Sequence, residues 1–322
     1  MTITQLSVPP TDPEVDAWLA VLDAVRSADR PLWPAPSRVE VAGRLRVPSV
    51  RGRSVQWAAG DEGIAALLLF SDEENRHSAF IDVLTVTPHA RRRGVATALW
   101  EAVRAELLAH GRTTVSAMID DDGPGEAFAR AQGFAPVLPM GWYVQQVPQG
   151  PTGPGDAGWT APAGYTCATW SGPVPDAHAE ASAAAHNAMD DAPSGDMEEI
   201  IPTWNVERLR AVQQLVVDRG GELLTVAAVT PDGELAAYTE LMLPHPGAHR
   251  ALQYDTVVVP AHRGRGLGRA VKARMLAGVR GSHPALREIA TTVADENGPM
   301  RAVNASLGYV RERGTTYYQL KL

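Results

Sequence analysis

Two segments of the chain carry the same spacing of apolar residues. In each segment an apolar side chain recurs every four positions, which predicts a helix that buries a single stripe. Each segment follows a strand-like run, over residues 80–86 in the first half and 252–259 in the second. The stripe residues are Val95, Leu99, Val103 and Leu107 in the first segment, and Leu267, Val271, Met275 and Val279 in the second.

The two halves of the chain are related by an internal repeat. Arg91 recurs as Arg263 at an offset of 172 residues, and Gly133 recurs as Gly308 at an offset of 175, which implies a short insertion in the second copy. A repeat that keeps both its apolar stripe and its glycines indicates two equivalent domains.

A Gly- and Pro-rich stretch separates the halves. Nine of the seventeen residues from 148 to 164 are Gly or Pro, a composition that resists both helix and strand. We therefore predict an N-terminal domain over residues 1–147, a linker over 148–163 and a C-terminal domain over 164–322.

The order of strand and helix patterns in the second half predicts an α/β domain, that is, a mixed sheet with helices on both faces. Its closing strand is expected near 316–322. Before that strand we predict strands at 165–170, 222–229, 234–243, 252–259 and 288–294, and helices at 176–189, 206–218, 267–280 and 298–307.

Composition narrows the classes of partner. The chain has 322 residues, 45% of them hydrophobic, and a net charge of −8, so it would repel nucleic acid and attract a small cationic amine or peptide. Its single cysteine, Cys167, cannot form an intramolecular disulfide. The sequence shows neither a secretory signal nor a membrane span. We expect a cytoplasmic protein without a membrane partner, and the oligomeric state stays open.

The loop Arg263-Gly264-Arg265-Gly266-Leu267-Gly268 lies between a predicted strand and a predicted helix. Glycines let a ligand approach the backbone closely, and the unpaired N–H groups of a helix start attract anions. The spacing differs from a dinucleotide fingerprint, and no Gly-Lys-Ser/Thr of a P-loop occurs. A tight connection is the alternative. The first half repeats the loop as Arg91, Arg92, Arg93, Gly94, Val95 and Ala96.

These residues resemble the acyl-CoA signature of the GNAT superfamily of N-acetyltransferases, which reads Arg or Gln, two residues, Gly, one residue, then Gly or Ala. Asn297, eleven residues before Gly308-Tyr309, matches a second feature of the family. The second half is similar to the two-domain actinobacterial members. The resemblance implies two GNAT-like domains in tandem that use acetyl-CoA as acyl donor.

By that resemblance, the loop of each half would hold the CoA pyrophosphate through backbone N–H groups. In the second half, the strand end Val257, Val258 and Val259 would pair with the pantetheine arm and direct an N–H at the thioester carbonyl. A neutral amine would attack that carbonyl directly, which requires positioning, a base and an acid. Asn297 and Asn304 would lie beside the CoA.

The expected proton donor departs from the family pattern. Many members have Tyr seven residues after the Asn, where this chain has Asn304. Tyr309 is the candidate substitute, with Tyr317 and Tyr318 or solvent as alternatives, and a structural role is open for each tyrosine.

The first half has lost both features of the family pattern. Its matching residues are Asp122 and Ala129, so the N-terminal domain is expected to be degenerate. It could still bind CoA or shape the acceptor cleft.

Asp255 in the predicted strand is the candidate base, and Glu240 on the preceding strand is the second candidate. The alternative for Asp255 is a bond to backbone or exposure to solvent. Asp82 is its nearest counterpart in the first half.

Asp190 and Asp191 are predicted to bind the acceptor, in an acidic lip that also includes Glu198 and Glu199. The alternative is a solvated turn with Asp191 as a helix cap. No metal site is expected, because no Cys or carboxylate cluster accompanies His245 and His249.

The leading hypothesis is an N-acetyltransferase that moves an acetyl group from acetyl-CoA to a primary amine of a small molecule or peptide. The alternative hypothesis is a catalytically weak acyl-CoA-binding or sensing protein.

Overall fold

The computed structural model describes residues 2–149, 162–188 and 193–322. The chain divides into two units. Unit 1 comprises Met1–Pro139, Ser194–Pro202 and Gly314–Leu322, and unit 2 comprises Met140–Pro193 and Thr203–Arg313.

Unit 1 contains a sheet in the order β1-β2-β3-β4-β5-β12, in which only the β4–β5 pair is parallel. Its helices α1 and α2 pack on one face and α3 on the other. The elements are β1 (Thr4–Gln5), α1 (Asp12–Asp29), α2 (Arg38–Arg46), β2 (Gly52–Ala59), β3 (Gly63–Phe70), β4 (Ser78–Val86), α3 (Val95–Ala109), β5 (Thr114–Asp120), α4 (Pro124–Ala131) and the end of β12 (Val310–Lys321).

Unit 2 contains a sheet in the order β6-β11-β10-β9-β8-β7, in which only the β10–β11 pair is parallel. Helix α5 packs on one face and helix α7 on the other. The elements are most of β6 (Ala135–Gln146), then β7 (Thr166–Ser171), α5 (Ala179–Asn187), α6 (Val206–Asp218), β8 (Glu222–Val229), β9 (Leu235–Leu243), β10 (Arg250–Val258), α7 (Leu267–Ser282), β11 (Glu288–Ala294) and α8 (Gly298–Ser306).

The predicted apolar stripes form the centre of both cores. All eight stripe residues of α3 and α7 are at most 2% exposed. In unit 2, Leu267 and Val271 pack against Leu241 and Leu243 of β9. Burying one such side chain contributes about 1.5–3 kcal/mol, so the four-residue spacing orients each helix on its sheet. The mixed α/β architecture predicted from the sequence is confirmed.

The closing strand predicted for the second half belongs to the sheet of unit 1, so that prediction is wrong. Residues Thr315–Lys321 pair with β5 of unit 1, and Met140–Gln146 of β6 pair with β11 of unit 2. The two β strands that follow the last helix of each repeat are therefore exchanged between the units. The predicted division at 148–163 stays a prediction, since most of that stretch lies outside the described residues.

None of the helices in the described part of the chain is both long enough and apolar enough to span a bilayer.

Candidate functional site

Strands β10 and β11 separate partway along their length. Their parallel pairing runs from Arg250 to Leu252 of β10 and then stops. Further on, the Val259 N–H donates to Ala236 O on the β9 side, at 2.9 Å. Because successive N–H groups of a strand point to opposite sides, the Val258 N–H faces the gap left by β11.

A bulge lies where this gap opens. The ladder between β9 and β10 shifts register between Gln253 and Thr256, so Tyr254 and Asp255 share Glu240 as their partner. One extra residue in a bulged strand redirects its side chains. Here the bulge brings the two predicted bases, Asp255 and Glu240, next to each other.

The two carboxyls and a histidine form one cluster, which we call the carboxyl cluster: His186, Glu240 and Asp255. Their ligand atoms all lie within 4.8 Å of one another. His186 is 3% exposed and Glu240 6% exposed, and Asp255 is partly buried. His186 Nε2 is 4.0 Å from Glu240 Oε2. One nitrogen and two carboxylate oxygens are also ligand types that divalent metals use.

Helix α6 holds Glu240 through Gln213. The Val174 N–H, which can only donate, contacts Gln213 Oε1 at 2.8 Å. This contact fixes the amide orientation, so Gln213 Nε2 donates to Glu240 Oε1 at 2.7 Å.

Burial changes the protonation of all three groups. Burial, with a smaller contribution from Asp255, raises the pKa of Glu240 to about 8, and burial raises the pKa of Asp255 to about 6. Burial also lowers the pKa of His186 to about 4. As pH rises, Asp255 therefore ionises first while Glu240 keeps its proton, which is the division of roles expected of a base and a hydrogen-bond donor.

The histidine is neutral and its tautomer follows from its contacts. His186 Nδ1 lies 2.8 Å from Ser182 O, a carbonyl that can only accept, so Nδ1 carries the proton and Nε2 faces Glu240. The His186 ring stacks on Tyr238, with centroids 4.3 Å apart, and contacts Trp204 at 5.2 Å. The aromatic rings of Tyr238 and Trp204 thus line one side of the carboxyl cluster.

The predicted anion loop has the backbone that its glycines imply. Gly264 and Gly266 have φ of +76° and +75°, and a Cβ added to either would meet nothing within 4 Å. Helix α7 starts at Leu267, and its first internal acceptor, Gly266 O, receives the Ala270 N–H. The earlier N–H groups have no partner inside the helix. A left-handed backbone and open space above it leave room for an anion.

Arginines of the loop are anchored within unit 2. Arg263 Nε donates to Val258 O at 3.0 Å, which ties the loop to the end of β10. Arg265 Nη1 donates to Tyr165 OH at 2.7 Å, and the same hydroxyl lies 2.9 Å from His262 Nδ1. The hydrogen bond to Tyr165 therefore holds the Arg265 guanidinium beside the loop, and no carboxylate among the described residues is paired with it.

The first copy of the loop has a similar backbone with different electrostatics. Gly94 has φ of +84° and begins α3, and Arg92 takes the left-handed φ of +60° where unit 2 has Gly264. Arg91 forms a bidentate ion pair with Asp29, in which Nη1 donates to Oδ1 at 2.9 Å and Nη2 donates to Oδ2 at 2.5 Å. Carboxylates of unit 1 therefore neutralise part of the loop's charge, and Arg93 adds a 3.3 Å contact to a glutamate.

Unit 1 has the bulge without the carboxyl cluster. The β3–β4 ladder shifts register between Ala66 and Leu67, so Asp82 is the extra residue. The Asp82 side chain is 47% exposed and lies 3.6 Å from Arg44. The β3 residues opposite it, Ala66 and Leu67, are apolar, so β3 presents no second carboxyl to Asp82. The degeneracy of this half stays a prediction.

The predicted proton donors fall in different places. Tyr309 is buried, and its OH donates to Gln253 Oε1 at 3.4 Å, with the phenol pKa raised by burial. Tyr318 OH contacts Glu126 at 2.7 Å in unit 1, and Tyr317 packs on a phenylalanine there. Both of these tyrosines belong to unit 1, because their part of β12 pairs with β5.

The two predicted asparagines occupy the ends of one helix. Asn297 caps α8, its Oδ1 accepting from the Met300 N–H at 3.1 Å. Asn304 is 1% exposed and accepts from Lys272 Nζ at 2.7 Å. Lys272 was missed from the sequence, although its place one turn after Gly268 could have indicated it.

The predicted acidic lip is wrong for two of its members. Glu198 contacts Lys321 Nζ at 2.5 Å, and Glu199 pairs with Arg51, all in unit 1. Cations therefore neutralise both carboxylates. Asp190 and Asp191 lie outside the described residues.

Comparison with known proteins agrees with this geometry. The family model of the Acetyltransferase (GNAT) family matches residues 18–134, which lie in unit 1. No curated protein matches the chain. A tandem GNAT protein from the clavulanic acid biosynthesis pathway is 26% identical, with a TM-score of 0.79 over 99% of this chain and 98% of that one.

A GCN5-related N-acetyltransferase from Sphaerobacter thermophilus is 19% identical, with a TM-score of 0.69 over 99% of this chain and 95% of that one. The family-model match in unit 1 and the fold of the whole chain together support an acyltransferase of the GNAT type, and the GNAT family generally uses acetyl-CoA. More particularly, the chain is similar over nearly its whole length to a tandem GNAT protein, and it likewise contains two such units in one polypeptide.

Proposed function

We propose that unit 2 transfers the acetyl group of acetyl-CoA to a primary amine of a small molecule or peptide, with Asp255 as the general base. The observation that carries the proposal is the buried carboxyl pair at the bulge of β10, the strand that leads into the Arg263–Gly268 loop. Unit 1 has a similar loop and bulge without that pair, so we assign the transfer to unit 2.

The chain's residues suit an acyl-CoA on the loop side of the sheet. The open positions above Gly264 and Gly266 and the free N–H groups at the start of α7 fit a pyrophosphate. Arg265 adds a fixed positive charge. Acetyl-CoA would supply a thioester carbonyl for attack. The Val258 N–H, which faces the gap between β10 and β11, is the donor we assign to the carbonyl oxygen as it gains charge.

The carboxyl cluster suits an amine on the other face. An ammonium must lose a proton before it attacks, and Asp255, with a pKa of about 6, is ionised at neutral pH. Glu240 keeps its proton and can hold the amine by a hydrogen bond. The rings of Tyr238 and Trp204 beside His186 add the favourable face that aromatic groups offer to a cation.

The test is release of the CoA thiol from acetyl-CoA across a panel of amino sugars, amino acids, polyamines and peptides. Asp255→Asn should lower kcat by about 10²-fold or more, the contribution typical of a general base. Asp82→Asn, the matched change at the bulge of unit 1, should leave it unchanged. Equal activity of the two variants would contradict the role of Asp255. Because one imidazole and two carboxylates meet in the cluster, the assay is repeated with a chelator. The chelator should leave the activity unchanged, and loss of activity would indicate a metal site in place of a general base.

A catalytically weak acyl-CoA-binding protein is the second candidate. The observation that favours it is Asn304, which has no titratable proton at the position where the family often has Tyr. Calorimetric binding of acetyl-CoA without release by any amine of the panel would support this candidate and contradict acetyl transfer.

A further inference from the structure

The chain uses lysine very sparingly. Of its 29 Lys and Arg residues only two are lysines, Lys272 and Lys321. Lys321 is 75% exposed at the end of β12, whereas Lys272 is 3% exposed in the second turn of α7. Arginine stays charged at all ordinary pH values, whereas a buried lysine can lose its proton. Lys272 is thus a buried cation that, unlike an arginine, is able to give up a proton.

The part of the chain that the structure describes places no counterion beside Lys272. Its Nζ donates to Asn304 Oδ1 at 2.7 Å and lies 4.5 Å from the ring centroid of Tyr309. Among the described residues no carboxylate pairs with it. Burial alone lowers the pKa of Lys272 to about 7. Tyr309 is the titratable group that faces it, and that phenol is neutral because burial raises its pKa.

A second polar group beside Lys272 lacks a partner. Asn304 Nδ2 is buried and makes no hydrogen bond within the described structure. Leaving a buried N–H donor unmet costs about 1–3 kcal/mol. An uncompensated ammonium and an unmet amide donor next to each other favour an acceptor with negative charge.

Both groups lie on the side of the sheet that carries the anion loop. Gly268 and Lys272 are one helical turn apart on α7, and a Cβ on Gly268 would lie 3.3 Å from Val258 Cγ2. This face of α7 therefore runs along the end of β10, beside the gap. The carboxyl cluster lies on the opposite face, because Tyr238 packs against α5 while Leu241 packs against α7.

Hydrogen bonds connect the two faces through the sheet. Tyr309, in contact with Lys272, donates to Gln253 Oε1, and Gln253 Nε2 donates to Glu240 O at 2.8 Å. Lys272 thus lies on one face of the sheet that contains the gap, and Glu240 and Asp255 lie on the other face, at the bulge of β10.

We propose that Lys272, held by Asn304, is the general acid that protonates the CoA thiolate as it leaves. In this step an N–H bond of the ammonium breaks and an S–H bond forms, which leaves neutral lysine and CoA thiol. The amine then regains its proton from solvent. The inference rests on the proposed function, since it requires CoA in unit 2.

Lysine-specific isotope labelling tests the proposal directly, because only two side chains give signals. Lys321→Met identifies the exposed one. Lys272 should titrate with an acid dissociation constant at least 100-fold above that of Lys321. Binding of CoA should lower the acid dissociation constant of Lys272 at least tenfold, because the negative CoA thiolate stabilises the ammonium form of the lysine. Acetyl-CoA, which has no ionisable thiol, should do so far less. A Lys272 signal that titrates like Lys321, or ignores CoA, would overturn the proposal.

Variants provide the second readout. Lys272→Met, which keeps the length and removes a buried charge, should bind CoA but lose the lowered pKa of the bound thiol, followed by thiolate absorbance. It should also lose about 10²-fold in kcat with KM for acetyl-CoA little changed. Lys321→Met is the matched control and should behave as wild type. Unchanged thiol ionisation in Lys272→Met would refute the role of Lys272, whereas no binding of CoA to wild type would refute the proposed function itself.

Discussion

Glu240→Gln replaces a buried acid by an amide of the same shape, and its effect on stability should depend on pH. Glu240 is 6% exposed and burial raises its pKa to about 8. Gln cannot ionise, so the variant resembles the protonated wild type at every pH. Gln213 still finds an oxygen to donate to after the change. The perturbation therefore removes a charge and little else.

The sign and size follow from linkage. Below an ordinary Glu pKa near 4.5, folded and unfolded chains both hold the proton, and the variant should match wild type. As pH rises, the unfolded chain releases a proton that the folded chain keeps, so wild-type stability falls until pH passes about 8. At 1.36 kcal/mol per pKa unit the full difference is about 5 kcal/mol. Glu240→Gln should therefore be the more stable protein at pH 8.5.

Urea unfolding at pH 4.5, 6.5 and 8.5 measures this difference as midpoint and slope. Asp82→Asn is the control, because that exposed carboxyl has only a 3.6 Å contact to Arg44 and should change stability by less than about 1 kcal/mol at any pH. A Glu240→Gln difference that is the same at all three pH values would refute the raised pKa, and with it the protonated role assigned to Glu240.

Three further outcomes are expected. Arg250→Met should destabilise the protein by about 3–5 kcal/mol in thermal or urea unfolding, because it leaves two glutamates beside a site only 8% exposed; a change below 1 kcal/mol would contradict this. Tyr165→Phe should weaken CoA binding about fivefold in calorimetry without changing kcat, since it releases Arg265, and a fall in kcat at saturating acetyl-CoA would argue against this purely positioning role. The kcat/KM for acetyl-CoA should be bell-shaped in pH, rising as Asp255 ionises near pH 6 and falling as Lys272 loses its proton near pH 7, and a profile without a falling limb would count against Lys272.

Local patterns in the sequence predicted local structure well. The four-residue apolar spacing predicted α7 from Leu267, and the helix runs from Leu267 to Ser282. The loop sequence predicts close approach of a ligand at Gly264 and Gly266, and both glycines have a left-handed φ with no atom within 4 Å of an added Cβ. Such features depend on neighbours in the chain, so that spacing and residue type suffice to predict them.

Long-range pairing could not be predicted in the same way. The strand after Tyr309 reads like any closing strand, and nothing within it indicates that Thr315–Lys321 pair with β5. The carboxyl cluster shows the same limit, because His186 comes from α5 and is brought to Glu240 by the fold, at 4.0 Å. The place of Lys272 one turn after Gly268 is visible in the sequence, but its burial, which lowers its pKa, is a property of packing.

We assign acetyl transfer to unit 2, and a matched pair of loop glycines allows that assignment to be tested. Gly94 and Gly266 both begin a helix with φ of +84° and +75°, and a Cβ on either meets nothing within 4 Å. Gly94→Val and Gly266→Val should therefore cost similar backbone strain, on the order of 1–2 kcal/mol. Measured as amine-dependent release of the CoA thiol, Gly266→Val should lose activity while Gly94→Val keeps it. Loss of activity in Gly94→Val with Gly266→Val intact would contradict the assignment and place the reaction in unit 1.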